Sequence, residues 1–546
     1  MTFSGGLCSN KLRSFFYLLL LNSFFLFTSF SCGGNSSENR SGNNLQNPLS
    51  DLVVCTSASL ASFPGAEGFG ACATGARSPN ARVFYVTNLA ADPHGEIPGS
   101  FQWALNQEGP RYILFKVSGV INGTVEMNRG DVTIAGQTSP NGVIVRGLDI
   151  QGNQVYEADH DPLPTIYPQN FIVRHLRSRV VGGPAGSPWL DEDGLRLHHA
   201  VNGIIDHFSS ENASDESMQI SFSRDITIQN SMLAETIGDH YLYGGMLINY
   251  SDPPRNFPLT RLSIHHNLWN RIVGRLPEIS RDNLAANQSV LEIELSSNLC
   301  WDPGYYITIA LHQPENESAL LYYHMNVVEN LMYGRMRNPD ALSDFTYGLM
   351  DSSFLEDLPA GSPTTTYFSG NQINLYPDRG DYQLLYRDND YPNTFLGEGG
   401  GLPYGNILPV NAISSRHNFP IINYTSAENL RNYMIENVGA FPRDHMDQRL
   451  LADVQAGTFD NSPRNVNSRG DAFDITNSTS GAPTDSDEDG MPDSWEMSHG
   501  LDPHVFNANG TELSSNSGNG IEACISGYSN LECYLNELSA LKIHNP

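Results

Sequence analysis

Lysine is nearly missing from this sequence. Lys11, Lys116 and Lys542 are the only ones, so almost all of its 30 basic residues are arginine. Acids outnumber bases 60 to 30, for a formal net charge of −30. That balance excludes general nucleic-acid binding, which relies on bases to neutralise phosphates. It also leaves an acidic polymer without attraction unless a bound cation or a local arginine cluster supplies it. Long apolar runs are scarce as well: beyond one near the N-terminus, they are too short to span a bilayer. No cysteines have the spacing of a metal site. Glycine (49), proline (32) and tyrosine (24) are plentiful, which favours turns and strands over long helices. The 546 residues exceed one ordinary domain.

The apolar run at residues 15–30 follows Lys11 and Arg13 and has the length of a signal-peptide core. Ser29-Phe30-Ser31-Cys32 and the polar residues after it resemble a bacterial lipoprotein cleavage site. Residues 1–31 are therefore expected to be a signal peptide of lipoprotein type, Cys32 the lipidated residue, and 32–62 a polar tether. The alternative is ordinary cleavage nearby and full secretion. Both place the chain outside the cytoplasm, as an outer-membrane lipoprotein or an extracellular protein, with the lipid at Cys32 as the one membrane contact. An exported chain can keep disulfides. Cys524 with Cys533, and Cys55 with Cys72, are the pairs closest in sequence, while Cys300 sits in an apolar strand pattern and is expected to be a buried free thiol.

From Phe63 onward short β-rich runs alternate with turns. Several end alike, as in Ile226-Thr227-Ile228-Gln229-Asn230-Ser231 and Leu262-Ser263-Ile264-His265-His266-Asn267. Aligning these endings puts Ser231, Asn267, Asn298, Asn330 and Asn371 in one column with spacings of 36, 31, 32 and 41. Val132-Thr133-Ile134, Ile172-Val173-Arg174 and Ile204-Ile205-Asp206 fit as earlier members. Loose repeats of this size, each with a strand and a terminal polar residue, predict a parallel β-helix in which stacked coils share one core. A β-sandwich would need tighter spacing and hairpin turns.

Asp191 and Asp193 lie two apart on a strand-like run and so face one side. Asp215 follows Asp193 by 22 residues, about one coil, which would stack it on Asp193 at about 4.8 Å. Glu211 is placed to reach the same point from the turn. Such a group of carboxylates suits Ca²⁺, a hard cation with oxygen ligands; scattered surface acids are the alternative. Arg275 lies eight residues past its column position, as Glu216 does past Phe208, so it is expected on the same side roughly two coils, about 10 Å, away. Pairing with a neighbour such as Glu278 is the plainer alternative for this arginine.

Taken in order, Phe63-Pro64-Gly65-Ala66-Glu67-Gly68-Phe69-Gly70, Thr133-Ile134-Ala135-Gly136-Gln137-Thr138, Ile205-Asp206-His207 with Asp215-Glu216, and Arg275-Leu276-Pro277 resemble the bacterial pectate lyases of polysaccharide lyase family one. Gly439-Ala440-Phe441-Pro442-Arg443-Asp444 with Asp447 and Arg449 resembles a later segment of that family. The resemblance runs over residues 63–460. It implies an all-β, right-handed, single-stranded parallel β-helix that cleaves polygalacturonate by Ca²⁺-assisted β-elimination, leaving an unsaturated product end. It implies Asp191, Asp193, Glu211 and Asp215 as calcium ligands and Arg275 as the catalytic base. A guanidine, whose ordinary pKa lies above about 12, serves as a base under alkaline conditions, and the sequence alone equally allows Arg275 to be an electrostatic stabiliser. The sequence departs from the family in lacking a substrate-binding lysine between the calcium carboxylates and the arginine. His240, Arg271 and Arg281 are the candidates for that contact; the second arginine expected five residues after the first is Ser280.

Asp485-Ser486-Asp487-Glu488-Asp489-Gly490, then Asp493 and Glu496, fits the spacing D-x-D-x-D-G-x-x-D-x-x-E of a calcium loop. Side chains at Asp485, Asp487, Asp489, Asp493 and Glu496 and the carbonyl of Met491 are the expected ligands. Gly527-Tyr528-Ser529-Asn530-Leu531-Glu532-Cys533 resembles the closing helix of small EF-hand-like or thrombospondin-type-3-like calcium modules appended to bacterial polysaccharide enzymes. Residues 461–482 are expected as a linker and 483–546 as the module. The whole is expected to be a monomer that contacts an acidic polysaccharide. The rival readings are a lyase for another uronate polymer, a non-catalytic carbohydrate-binding β-helix, and a galacturonan hydrolase, which would use paired carboxylates without calcium.

Overall fold

Short aliphatic and β-branched runs, each closed by a turn, build the molecule coil by coil. The computed structural model describes residues 59–153, 162–182, 190, 192–237, 244–280, 284–304, 310–311, 322–335, 348–351, 361–386, 412–464, 470–516, 518 and 520–544. One coil runs through Val201–Asp206, Ser209–Glu211 and Met218–Ser221 before the next opens at Arg224–Gln229. Like strands of successive coils pair in parallel. Among the described residues they form sheets of ten, nine and seven strands. This is the predicted parallel β-helix. The expected signal peptide, Cys32, residues 32–58 of the expected tether, Cys55, Asp191, His240 and Arg281 lie outside the described residues.

Register turns the repeat into a core. Ile134 pairs with Val173, Val173 with Ile205, Ile205 with Ile228, Ile228 with Ile264, Ile264 with Leu295, and Leu295 with Val327. All are buried in one continuous apolar cluster. A single coil cannot enclose such a column, so each coil depends on its neighbours.

The corner after the ten-stranded sheet is built the same way in each coil. His175, His207, Asn230, His266, Ser297, Glu329 and Gly370 all have positive φ, between 50° and 74°. The residue after the corner then belongs to a polar ladder. The Ser231 N–H donates to Asn267 Oδ1 (2.9 Å), Asn267 N–H to Asn298 Oδ1 (3.0 Å), Asn298 N–H to Asn330 Oδ1 (3.1 Å), and Asn330 N–H to Asn371 Oδ1 (3.1 Å). Each asparagine also returns its Nδ2 to a carbonyl of the preceding coil: Asn267 to Ile228, Asn298 to Ile264, Asn330 to Leu295 and Asn371 to Val327. Backbone groups freed by the turn are thereby satisfied in the protein interior.

Two helices, Ala427–Asn437 and His445–Ala456, pack Leu430, Met434, Leu450 and Val454 onto Met232, Leu268, Leu299 and Trp301 of the nine-stranded sheet. The C-terminal helix Asn530–His544 lies on the first coils, with Leu531 and Leu535 against Tyr112, Leu114 and Ala135. Part of the stretch expected as a linker also lies on the β-helix: Ser478 bridges Ser118, and Asn477 Oδ1 accepts from the Val120 N–H at 3.0 Å. Cys524 and Cys533 form a disulfide, and Cys72 is disulfide-bonded. Cys300 is buried and unpaired, and burial pushes its thiol up to about 12. No helix among the described residues is long and apolar enough to cross a membrane.

Replacing Asn298 with alanine removes the acceptor of the Asn267 amide and the donor to Ile264. The expected loss is about 1–3 kcal/mol of unfolding free energy, the cost of leaving buried backbone groups unpaired. Denaturant unfolding measures it; a change within error would remove the ladder from the stability of the stack.

Candidate active site

The seven-stranded sheet sets the height of each carboxylate. Leu195 pairs with Met218 in register, a repeat of 23 residues. The residue above Asp193 is therefore Glu216, one place beyond the Asp215 that a 22-residue repeat selects. Asp193 Oδ1 accepts from the Glu216 N–H at 3.1 Å, and the Asp215 N–H donates to the Glu192 carbonyl at 3.3 Å. Asp193, Asp215 and Glu216 each offer an oxygen within 4.8 Å of the others. Oxygens of one calcium shell lie about 2.3–2.6 Å from the ion, hence within about 5 Å of one another, so the donor set fits Ca²⁺.

Glu211 is not part of this group. It stands on the strand Ser209–Glu211 with the parity of Ser209, whose hydroxyl bonds Asp447, and so faces the helix His445–Ala456. Its carboxylate is fully buried 2.6 Å from Arg179. Arg179 also binds Asp444, while Arg177 binds Asp447 at 2.7 Å. These ion pairs fasten the later segment, with Asp444 and Asp447, to the β-helix wall.

Arg275 reaches the carboxylates from two coils away. Its Nη1 contacts Glu216, and its Nε lies 3.1 Å from Glu278. Both readings of this arginine thus hold together: it pairs with its neighbour and it joins the cluster. The intervening coil passes under it as Gly244-Gly245. A Cβ on Gly245 would come 1.9 Å from the Arg275 carbonyl oxygen, and one on Gly244 would come 2.1 Å from Thr236 Cγ2. Two glycines are what lets the backbone close up at this point. Arg196 supplies a second cation to the cluster, with Nε 2.8 Å from Asp193.

Burial, then the Asp193 and Asp215 charges, push Glu216 up to about 10, against the pull of Arg275. Burial also raises Asp193, opposed by Arg196. Farther along the same outward column, in register through Glu126, Asp149 and Arg196, burial pushes Asp149 up to about 7.

Arg271, expected to contact substrate, is instead structural. It occupies a second corner of the coil, stacked between Glu235 of one coil (2.9 Å) and Asp302 of the next (3.5 Å). Its Nη2 donates to the Ser462 carbonyl at 3.0 Å, and the side chain is buried. Sequence reasoning missed Glu216, Arg196 and the glycine pair; the 23-residue repeat was the available signal for the first.

In the C-terminal loop Asp485, Asp487 and Asp489 converge within 4.8 Å. Gly490 has φ 103°, and a Cβ there would meet Leu531 and Leu114. Glu496 is fully buried with Oε2 unpartnered, and Asp487 Oδ2 is also buried without a partner. Orphaned acidic oxygens around a carboxylate triad fit a calcium ion. Burial, then Asp489 and Asp487, push Glu496 up to about 8. Asp493 departs from the expected set: it accepts from the Ser486 N–H and hydroxyl, both at 2.7 Å, and closes the loop itself. Met491 buries its side chain in the core between the loop and the first coils. Tyr85 donates to Asp485, and Lys116 lies 4.0 Å from it, so the loop is held against the β-helix.

No family model matches the chain. It is 28% identical over 500 residues to a probable pectate lyase C of Emericella nidulans, covering 90% of this chain and 96% of that one. A probable pectate lyase C of Aspergillus flavus is 27% identical, with coverage of 89% and 97%. Among solved structures, the major cedar-pollen allergen Jun a 1 is 13% identical with a TM-score of 0.44, covering 69% of this chain and 92% of that one. Pectate lyase II of Xanthomonas campestris is 14% identical with a TM-score of 0.36, covering 70% and 99%.

A carboxyl raised from 4.5 to about 10 holds its proton more tightly in the folded state than in the unfolded one. The ion-free chain is therefore expected to lose stability as pH climbs through that window, and Ca²⁺ to restore it. The rise in melting temperature on adding Ca²⁺ after chelator should grow with pH. Glu216→Gln should flatten that growth at its alkaline end, and Glu496→Gln should reduce the part below about 8. A pH-independent rise in both variants and the parent would refute this linkage.

Proposed function

We propose that this chain is a pectate lyase that cleaves α-1,4-linked polygalacturonate by β-elimination. The observation that carries the reading is Arg275 set against the buried Asp193 and Glu216 and the half-buried Asp215. Support comes from relatives, named as probable pectate lyases, that align along nearly the whole chain.

Asp193, Asp215 and Glu216 would hold Ca²⁺, which when bound supplies positive charge to the C6 carboxylate of a galacturonate and acidifies the adjacent C5 proton. This also accounts for how a chain of charge −30 attracts a polyanion. Arg275 takes the C5 proton, the released electron pair forms the C4–C5 double bond, and the C4–O bond breaks with its pair on the leaving glycosidic oxygen, which takes a proton from water. Glu278, at 3.1 Å, orients the guanidine from the side away from Glu216. Arg196 lies beside Asp193 on the outward column and is the cation available to a second substrate carboxylate, in the place of the absent lysine. The C-terminal loop, with Asp485, Asp487, Asp489 and Glu496, would hold a structural Ca²⁺. The N-terminal segment is read as an export signal with lipid at Cys32, so that Cys32→Ser would leave the protein in the soluble fraction.

Incubation with polygalacturonate at alkaline pH should give the ultraviolet absorbance of a conjugated unsaturated uronate, abolished by chelator and restored by Ca²⁺. Arg275→Lys should lower turnover by roughly a thousandfold or more while leaving the melting temperature unchanged. Product without unsaturation would point to hydrolysis, and near-normal turnover in the variant would remove Arg275 from the chemistry.

A further inference from the structure

A cavity of about 350 Å³ lies between the ten-stranded sheet and the helix Asn530–His544, and Arg275 and its carboxylates do not line it. Its size falls at the lower end of small-molecule sites. Its arginine and one of its two carboxylates are matched to each other. Asp206 Oδ2 lies 2.9 Å from Arg174 Nε and 2.8 Å from His207 Nδ1, while Oδ1 accepts from Gln229 Nε2 (2.9 Å) and Asn230 Nδ2 (3.1 Å). The rest of the Arg174 guanidinium donates to Asn536 Oδ1 (3.3 Å) and Ser539 Oγ (2.9 Å). Glu67 accepts from the backbone N–H and the side-chain amide of Asn423.

Two consequences follow from this pairing. His175, Asp206 and His207 bring donor atoms within 4.8 Å of one another, but the Asp206 carboxylate has its acceptor sites filled, so the group does not suit a metal. No guanidinium or ammonium is left to receive a uronate carboxylate, and Glu67 and Asp206 would repel one. What remains is neutral. The His207 ring stands with Nδ1 2.8 Å from Asp206 Oδ2 and offers its other nitrogen, Nε2. Asn536, only 7% exposed, has Nδ2 without a partner. A hydroxyl both donates and accepts, and neighbouring hydroxyls on a ring answer such a mixed lining.

We infer that this cavity binds one neutral polyol of monosaccharide size and rejects uronates. The site is independent of the lyase reading and lies on a different corner of the coil.

Ligand-observed NMR on the full-length chain, with D-galactose and D-galacturonate as probes and chelator present, tests it. D-Galactose should bind saturably and D-galacturonate at least about tenfold more weakly. Asn536→Leu removes the unpaired amide, and Ala540→Phe fills the cavity from the C-terminal helix without touching its polar network. Each should weaken D-galactose at least about tenfold, with polygalacturonate cleavage unchanged. Absence of saturable binding would leave a water-filled cavity and overturn the inference. So would D-galacturonate binding as tightly in a manner lost in Ala540→Phe, or D-galactose binding retained in both variants.

Discussion

Parallel hydrogen bonding between successive coils fixes their spacing at about 4.8 Å and allows no slippage, because a shift of one residue would turn every apolar side chain outward. The column from Ile134 to Val327 is the apolar expression of that register. The asparagine ladder is its polar expression at the corner. Chemistry inherits the same geometry. Asp193 and Glu216 meet because they are stacked, and Arg275 arrives because two further coils set its height.

The ion-free site is neutralised from within. Arg275 leans on Glu216 and Arg196 on Asp193, so buried acids that would otherwise repel are each given a counter-charge. The C-terminal loop differs. There Tyr85 and Lys116 meet only Asp485, and oxygens of Asp487 and Glu496 are left buried and unpaired.

Much of this was legible in the sequence. The Ser231–Asn371 column marked the coil and its corner, because a terminal asparagine is visible whatever the loop length between strands. Arg275 was legible by its offset from that column. Glu216 was not, because loop residues hide whether a coil has 22 or 23 residues, and one residue decides which acid stacks. Glu211 has the spacing of a ligand, yet strand parity turns it to the opposite face, where Arg179 waits. Arg271 looked available because sequence does not reveal that Glu235 and Asp302 occupy the same corner one coil away on either side. Docking of the C-terminal helix on Tyr112 and Leu114 joins segments more than 400 residues apart, and no local pattern announces it.

The glycine pair at 244–245 bears on how chains of this architecture are to be judged from their alignments. Neither residue has a side chain with which to bind or react, yet among the described residues they form the coil that lies between Arg275 and Glu216. A chain could retain every charged residue of the site and still, with a single methyl group at position 245, have the coil that carries its arginine pushed out of place. Inventories of polar residues will therefore overstate how many such chains are enzymes, and the missing atoms are the better witness.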